Sequence, residues 1–190
     1  MFAPILRFAW ALNAIPSPTI GPSRGLDGIG PARQSQPMTD HPPRRRFDDL
    51  VVGERRRSAP LVLDEQAIIG FARDFDPQWF HVDPQAARGS PFGGLIASGA
   101  HLIALWRRMD HDLNGDIDYY CGVALEDVRF RQAVRPGDAL TLESEIVACR
   151  PSVSDPGRGL ITQAYRMVNG SGDIVLELRA VNLVYRGTVA

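Results

Sequence analysis

The second half of the chain is dominated by segments in which apolar and polar residues alternate. Between residues 140 and 148, leucine, isoleucine and alanine alternate with threonine and glutamate. This period of two is typical of strands with one buried face. Residues 123–134, 160–168 and 174–185 also predict strands, and Asn169–Gly172 predicts a tight hairpin between the last two. Long antiparallel strands that follow one another need a single apolar partner to cover their buried face.

Two earlier segments have helical spacing. Asp64 is typical of a helix N-cap, and we expect the helix behind it to end before Asp76, because the residue ahead of a proline disfavours helix. A second helix is predicted from Ser98 to about Met109, and its small first residues favour close packing against other backbone. One buried helix followed by a long antiparallel sheet predicts an α+β fold in which the sheet wraps around that helix.

Composition narrows the possible functions. A chain of 190 residues with a formal net charge of -1 is long enough for one core and carries no bulk charge that favours nucleic acid or a membrane surface. It has no lysine, which excludes Schiff-base chemistry and leaves any ligand phosphate to arginine or backbone N–H groups. The two lone cysteines, Cys121 and Cys149, favour a reduced cytoplasmic setting. No apolar run is long enough for a membrane span.

The N-terminal part differs from the rest. Residues 1–46 are rich in proline, glycine and serine, so we expect them to be disordered, with the folded domain spanning residues 47–190. Met38 resembles a second translation start. We therefore hypothesise that the segment before Met38 does not belong to the native protein. We expect the arginine clusters at 44–46 and 55–57 to lie on a solvent-exposed edge of the protein. The alternative is that they bind nucleotide phosphates.

The segment from Asp76 to His81 carries the chemistry. It sets a carboxylate and an imidazole five positions apart, just before the glycine-rich segment Gly93–Gly99. An acid and a base that converge on one water, beside unpaired backbone N–H groups, can add or remove water next to a carbonyl. Other acidic and imidazole side chains have structural interpretations. We expect Asp74 exposed, Asp83 capping a short turn, His101 packed, and His41 and His111 exposed.

This pattern resembles the MaoC-like hydratase/dehydratase family of hotdog-fold proteins, over roughly residues 47 to 186. Three stretches carry the resemblance: Asp76–Pro84, Phe92–Gly99 and the turn Arg135–Asp138. Two positions depart from the family pattern. Trp79 stands where the signature usually has proline, and Ser98 stands where members often have histidine. Trp79 in place of proline affects the expected range of substrates more than the expected type of reaction.

The resemblance implies a hotdog fold, usually dimerised, acting on a thioester of coenzyme A or an acyl carrier protein. Asp76 would be the base and His81 its partner, with the reverse assignment left open. The backbone N–H of Gly99 would bind the thioester oxygen. No metal or redox cofactor is implied. Substrate contacts are expected from the following residues: Trp79, Phe80, Gly94 and Ser98, with Phe75 as a weaker candidate.

The expected activity is therefore that of a hydro-lyase, an (R)-specific enoyl-CoA hydratase or 3-hydroxyacyl dehydratase. Two alternatives stay open at this point. The hotdog scaffold also supports acyl-CoA thioesterases, and the chain could be a non-catalytic acyl-binding module, because a fold alone does not choose among activities. We expect a homodimer, with no nucleic acid or membrane as partner.

Overall fold

A computed structural model of the protein describes residues 44–187. A 3-10 turn at Phe47–Asp49 precedes strands and helices in this order: β1 (Arg55–Arg57), β2 (Leu61–Val62), α1 (Glu65–Phe75), α2 (Trp79–Val82), α3 (Pro84–Ala87), α4 (Gly99–Asn114), β3 (Tyr119–Phe130), β4 (Ala139–Pro151), β5 (Arg158–Val168) and β6 (Ile174–Tyr185). The strand order is β1-β4-β5-β6-β3, with β2 also on β4, and every pairing is antiparallel. The predicted hotdog arrangement, a sheet wrapped around one long helix, is confirmed.

Local signals set the ends of the first helices. The Asp64 carboxylate accepts a hydrogen bond from the Ala67 N–H, so the predicted N-cap is confirmed. Helix α1 ends at Phe75, immediately before the residue that precedes proline, as the sequence predicts. Asp83 caps α3 by accepting from the N–H groups of Gln85 and Ala86. These short elements carry the chain from α1 to the loop before α4.

Helix α4 packs its apolar side against the inner face of the sheet. Leu102, Trp106 and Met109 are buried there, and the rings of Trp106 and Tyr165 meet edge to face with centroids 5.3 Å apart. The helix continues to Asn114, five residues beyond the predicted end near Met109. The prediction was short because the last turn buries polar side chains, which an apolar pattern does not reveal.

A buried polar cluster holds that last turn to the sheet. The Asp110 carboxylate is almost fully buried and accepts hydrogen bonds from Tyr165 Oη and Asn114 Nδ2, each at 2.8 Å. Arg107 donates to its other oxygen at 2.8 Å. Burial raises the pKa of the Tyr165 hydroxyl well above its ordinary value, so this group stays protonated and donates. A buried carboxylate supplied with several donors is stable, whereas one short of donors is costly.

The edges of the domain are tied by ion pairs. Arg45, two residues before the predicted start of the domain at Phe47, makes a backbone bridge to Ile117. Arg45 and Arg56 both bind Glu54, and Arg56 also binds Asp116. Arg45 hydrogen-bonded to Glu54 holds the pKa of that carboxyl below its usual value. The predicted disorder of residues 1–46, and the hypothesis about Met38, fall almost wholly outside the described residues.

Within residues 44–187, no helix is long and apolar enough to cross a membrane. Cys121 and Cys149 are both free thiols.

The Asp110 cluster gives a stability prediction. Tyr165→Phe removes one donor to a buried carboxylate while keeping the ring, so we expect the free energy of unfolding to fall by about 1–3 kcal/mol. Urea denaturation of the purified protein measures this change. Tyr185→Phe is the matched control, because Tyr185 is on the same sheet but exposed. Equal stability losses in the two variants would contradict the assigned role of the Tyr165 hydroxyl.

Candidate active site

His81 is held in one orientation by the loop that precedes α4. Its side chain is 6% exposed, and its Nδ1 lies 2.7 Å from the backbone oxygen of Ile96. A carbonyl oxygen only accepts hydrogen bonds, so Nδ1 carries a proton and donates it. In the neutral ring the other nitrogen, Nε2, is then an unprotonated acceptor. The loop therefore selects both the ring orientation and the tautomer.

The Asp76 carboxylate faces that free nitrogen. Asp76 is the C-cap residue of α1, and its N–H donates to the Ala72 oxygen. The distance from Asp76 Oδ2 to His81 Nε2 is 3.8 Å, too long for a direct hydrogen bond. Gln78 Nε2 donates to the other carboxylate oxygen at 2.9 Å. One oxygen of Asp76 is thus held by the protein, and the other is left facing His81 across a gap that one water can bridge.

The start of α4 supplies free N–H groups close by. Ser98 is the helix N-cap: its hydroxyl accepts from the His101 N–H, and its backbone oxygen accepts from Leu102. In the described part of the chain, the N–H groups of Gly99 and Ala100 donate to no acceptor. The first turn of a 16-residue helix also attracts negative charge. This end of α4 can stabilise an oxyanion.

Phe130, at the end of β3, lies directly over Gly99. A Cβ atom on Gly99 would come within 2.8 Å of the Phe130 ring, closer than such contacts occur. Glycine is therefore needed here, because the Phe130 ring occupies the space that a side chain would fill. Phe130 is half exposed, which leaves one side of the ring open next to the helix start.

The loop between α3 and α4 is clamped from the turn between β3 and β4. Arg135 Nη2 donates to the Phe92 oxygen at 2.5 Å, and the Ala97 N–H donates to the Val134 oxygen at 2.8 Å. Gly94 faces Arg135 Nη1, which would lie 3.3 Å from a Cβ atom at that position. Gly94 thus makes room for the guanidinium group. The clamp fixes the loop whose Ile96 oxygen orients His81.

Aromatic rings form a wall next to His81. Phe80 contacts the His81 ring edge to face, with centroids 4.5 Å apart, and also packs on Trp79 and Phe92 at 5.4 and 5.3 Å. Trp79 and Phe92 are partly exposed, so the wall is open to solvent on one side. Phe75, the weaker sequence candidate for this wall, packs on Phe71 instead and is mostly exposed.

The structure thus brings Asp76, His81 and the start of α4 into one region. The other candidates are elsewhere or in structural roles. Asp74 and His111 are exposed, and His101 is packed by stacking on Phe71 at 4.3 Å. His101 is 6% exposed, and burial lowers the pKa of its imidazole. His41 lies outside the described residues.

Three parts of the site were missed by sequence reasoning. Ile96 acts through a backbone oxygen, Arg135 through a loop contact, and Phe130 through a ring over Gly99. All three are distant in sequence from Asp76. Ile96 and Arg135 lie in stretches that carry the family resemblance, Phe92–Gly99 and Arg135–Asp138, and this was the available signal, whereas Phe130 had none.

Comparison with known proteins now identifies the family. The MaoC-like domain model matches residues 48–158, well over half of the chain. The chain therefore belongs to the MaoC-like domain family. Among related sequences, the uncharacterized protein YdeM of Bacillus subtilis is 30% identical over 116 residues, 59% of this chain and 80% of that protein. The 3-hydroxyacyl-thioester dehydratase Z of Mycobacterium tuberculosis is 34% identical over 88 residues. That match spans 45% of this chain and just over half, 56%, of the dehydratase.

Solved structures agree with this assignment. The MaoC-like dehydratase from Rhodospirillum rubrum superimposes with a TM-score of 0.70 at 36% identity, covering 76% of this chain and 99% of that one. The (R)-hydratase PhaJ1 from Pseudomonas aeruginosa gives 0.60 at 22% identity, over 76% and 91%. The double-hotdog protein Rv0216 of Mycobacterium tuberculosis gives 0.63 at 18% identity, over 77% of this chain and 46% of that one. At these lower identities, the last two establish the fold alone.

The Ile96 contact predicts the tautomer of His81. We expect the neutral ring to carry its proton on Nδ1, with Nε2 unprotonated, because the partner of Nδ1 among residues 44–187 is a carbonyl oxygen. Long-range ¹H–¹⁵N correlation spectra distinguish the two nitrogens directly. His81→Gln assigns the resonance by removing it, and exposed His111 is an internal reference. A neutral His81 ring protonated on Nε2 would be incompatible with the hydrogen bond to Ile96.

Proposed function

We propose that this protein is a hydro-lyase that adds water to, or removes it from, an acyl thioester. In the hydration direction its reaction is that of an (R)-specific enoyl-CoA hydratase, and in reverse that of a 3-hydroxyacyl dehydratase. The observation that carries the proposal is the 3.8 Å gap between Asp76 Oδ2 and His81 Nε2, next to the free N–H groups at the start of α4. Family membership and the similarity to dehydratase Z support the same reaction class.

The gap suits a water that donates one hydrogen to each partner. An ionised Asp76 only accepts hydrogen bonds, and Nε2 of the neutral His81 ring also accepts, because Nδ1 already donates to Ile96. In the hydration direction the water O–H bond breaks, its oxygen bonds to the β-carbon, and the pair takes the proton. The same proton is then available for the α-carbon. We assign Asp76 as the base and His81 as the group that relays the proton.

The start of α4 has the second role. Addition at the β-carbon moves negative charge onto the thioester oxygen, and we assign the N–H of Gly99 as the donor that binds it. Trp79 and Phe80 provide apolar surface for the acyl chain, and Ser98 contributes by fixing the helix start.

A second copy of the chain would close the open site. Strand β3 is an edge strand, and its exposed side chains include Tyr120, Val123 and Leu125. An unpaired edge with apolar side chains favours pairing with another strand. A homodimer joined along β3 would extend the sheet and cover the side where Phe130 ends that strand. Coenzyme A or an acyl carrier protein would deliver the acyl group.

The activity test separates the proposed reaction from its rivals. Incubation with a short trans-2-enoyl-CoA should remove the absorbance of the conjugated double bond without releasing free thiol. Thiol release with the double bond retained would instead identify a thioesterase, in which water attacks the carbonyl carbon. Saturable binding without either change would identify a non-catalytic acyl-binding module. Either of these last two results would overturn the hydro-lyase proposal.

Substitutions test the residue roles. Asp76→Asn and His81→Gln should each lower the hydration rate by about 10²–10⁴-fold, because each removes a group that handles the proton. Measured kcat with enoyl-CoA, together with circular dichroism to show retained folding, gives the result. Asp74→Asn and His111→Gln are matched controls on exposed positions and should leave kcat unchanged. Near-normal turnover in both folded site variants would show that the reaction occurs elsewhere.

A further inference from the structure

The outer face of the sheet carries a ladder of alternating charge that the proposed reaction does not use. One row crosses five strands in register, with these side chains: Arg57, Glu143, Arg166, Glu177 and Arg129. Successive residues of a strand point to opposite faces. Arg129 therefore lies on the outer face, while its neighbour Phe130 contacts the start of α4 on the inner face. The ladder is thus separated from Asp76 and His81 by the sheet itself.

The carboxylates of this face already have arginine partners. Arg57 lies 3.6 Å from Glu143, and Arg55 lies 3.0 Å from Glu145. Glu177 binds Arg131, and Arg129 lies 3.5 Å from the same carboxylate. Arg166 stands between Glu143 and Glu177 in register, yet has no ion pair with any residue in the described range 44–187. The face therefore holds an arginine without a carboxylate of its own.

A depression lies next to that arginine. In the neighbouring row, Ala164 lies between Glu145 and Arg179. All the other members of that row are charged: Arg55, Glu145, Arg179 and Glu126. Its small side chain leaves space, and a cavity of about 530 Å³ opens there. Five arginines and four carboxylates face it, a surplus of one positive charge, because the sixth arginine at its border, Arg56, is bound to Glu54 and Asp116. Volumes of roughly 300–1,000 Å³ are typical of small-molecule sites.

We propose that this cavity is a binding site for a phosphate-type anion, such as a diphosphate group. Arg166 is two residues from Ala164 on β5, and Arg179 is directly opposite it on β6. Two guanidinium groups therefore flank the depression from adjacent strands. Arginine forks suit phosphate oxygens, and each tetrahedral phosphate accepts from several directions at once. The positive surplus favours an anionic ligand.

The second basic cluster of the sequence takes part in this site. Arg55 and Arg57 lie on β1 at the border of the cavity, and both are exposed. The sequence left open whether residues 55–57 form a solvated edge or a phosphate patch. Arg56 points away from the cavity and binds Glu54 and Asp116. Arg55 and Arg57 therefore fit the phosphate patch, whereas Arg56 belongs to the ion-paired edge of the domain.

Titration calorimetry of the full chain at low ionic strength tests the proposal, with inorganic pyrophosphate and ADP as probes. We expect saturable binding of pyrophosphate that weakens as salt is added. Arg166→Gln should weaken it by about tenfold or more, as expected for loss of a charge-assisted hydrogen bond. Ala164→Glu should abolish it, because a carboxylate would fill the depression and pair with the free arginine. Tighter binding of ADP than of pyrophosphate would indicate a nucleotide ligand, and equal binding a phosphate group alone.

The matched control is Arg150→Gln. Arg150 is an exposed arginine on β4, outside the cavity, and like Arg166 it has no ion pair among the described residues. Arg150→Gln changes the net charge of the chain by the same amount as Arg166→Gln. Because Arg150 lies outside the cavity, pyrophosphate binding should be unaffected. The proposal is wrong if neither probe binds, or if the Arg150 and Arg166 variants lose affinity to the same extent. In that case the ladder serves only to align the strands.

Discussion

The hydrogen bond from His81 Nδ1 to the Ile96 oxygen is the contact on which the candidate site depends. It joins α2, which carries the imidazole, to the loop that leads into α4, whose first N–H groups are free. Without it, neither the ring orientation nor the tautomer would be specified. Arg135 and Val134 hold the same loop from the other side. The backbone oxygen of Ile96 thus fixes the position of His81 relative to the start of α4, where the oxyanion would bind in the proposed reaction.

Sequence reasoning found the elements of the fold because their signals are local. The cap at Asp64, the stop before Pro77 and the hairpin at Asn169–Gly172 each follow from residues within one turn. The end of α4 was not found, because Asp110 and Asn114 look like surface residues. Both are buried, and their sheet partners Tyr165 and Ser144 come from strands at least thirty residues later. Partners so far apart in the chain leave no pattern in a short window.

The same distinction applies to the site. Asp76 and His81 could be proposed from their spacing, since carboxylate and imidazole side chains are able to carry acid–base chemistry themselves. Ile96, Arg135 and Phe130 could not, because their contribution is a backbone oxygen, a loop contact and a ring surface. These roles depend on which segments meet in space. The residue types of Ile96, Arg135 and Phe130 do not by themselves indicate such roles.

The two faces of the sheet show how one strand pattern serves two environments. Along β4, buried Leu142 and Ser144 alternate with Glu143 and Glu145, so a slip of one residue would bury two carboxylates. The ladder of charge therefore penalises every wrong register, and its ion pairs need contribute little stability to do so. Alignment requires only that each carboxylate meets an arginine. Arg166, which meets no carboxylate of its own, and Ala164, which leaves a gap, are not needed for that purpose. They are the two positions at which the outer face departs from simple strand pairing, and both border the same cavity.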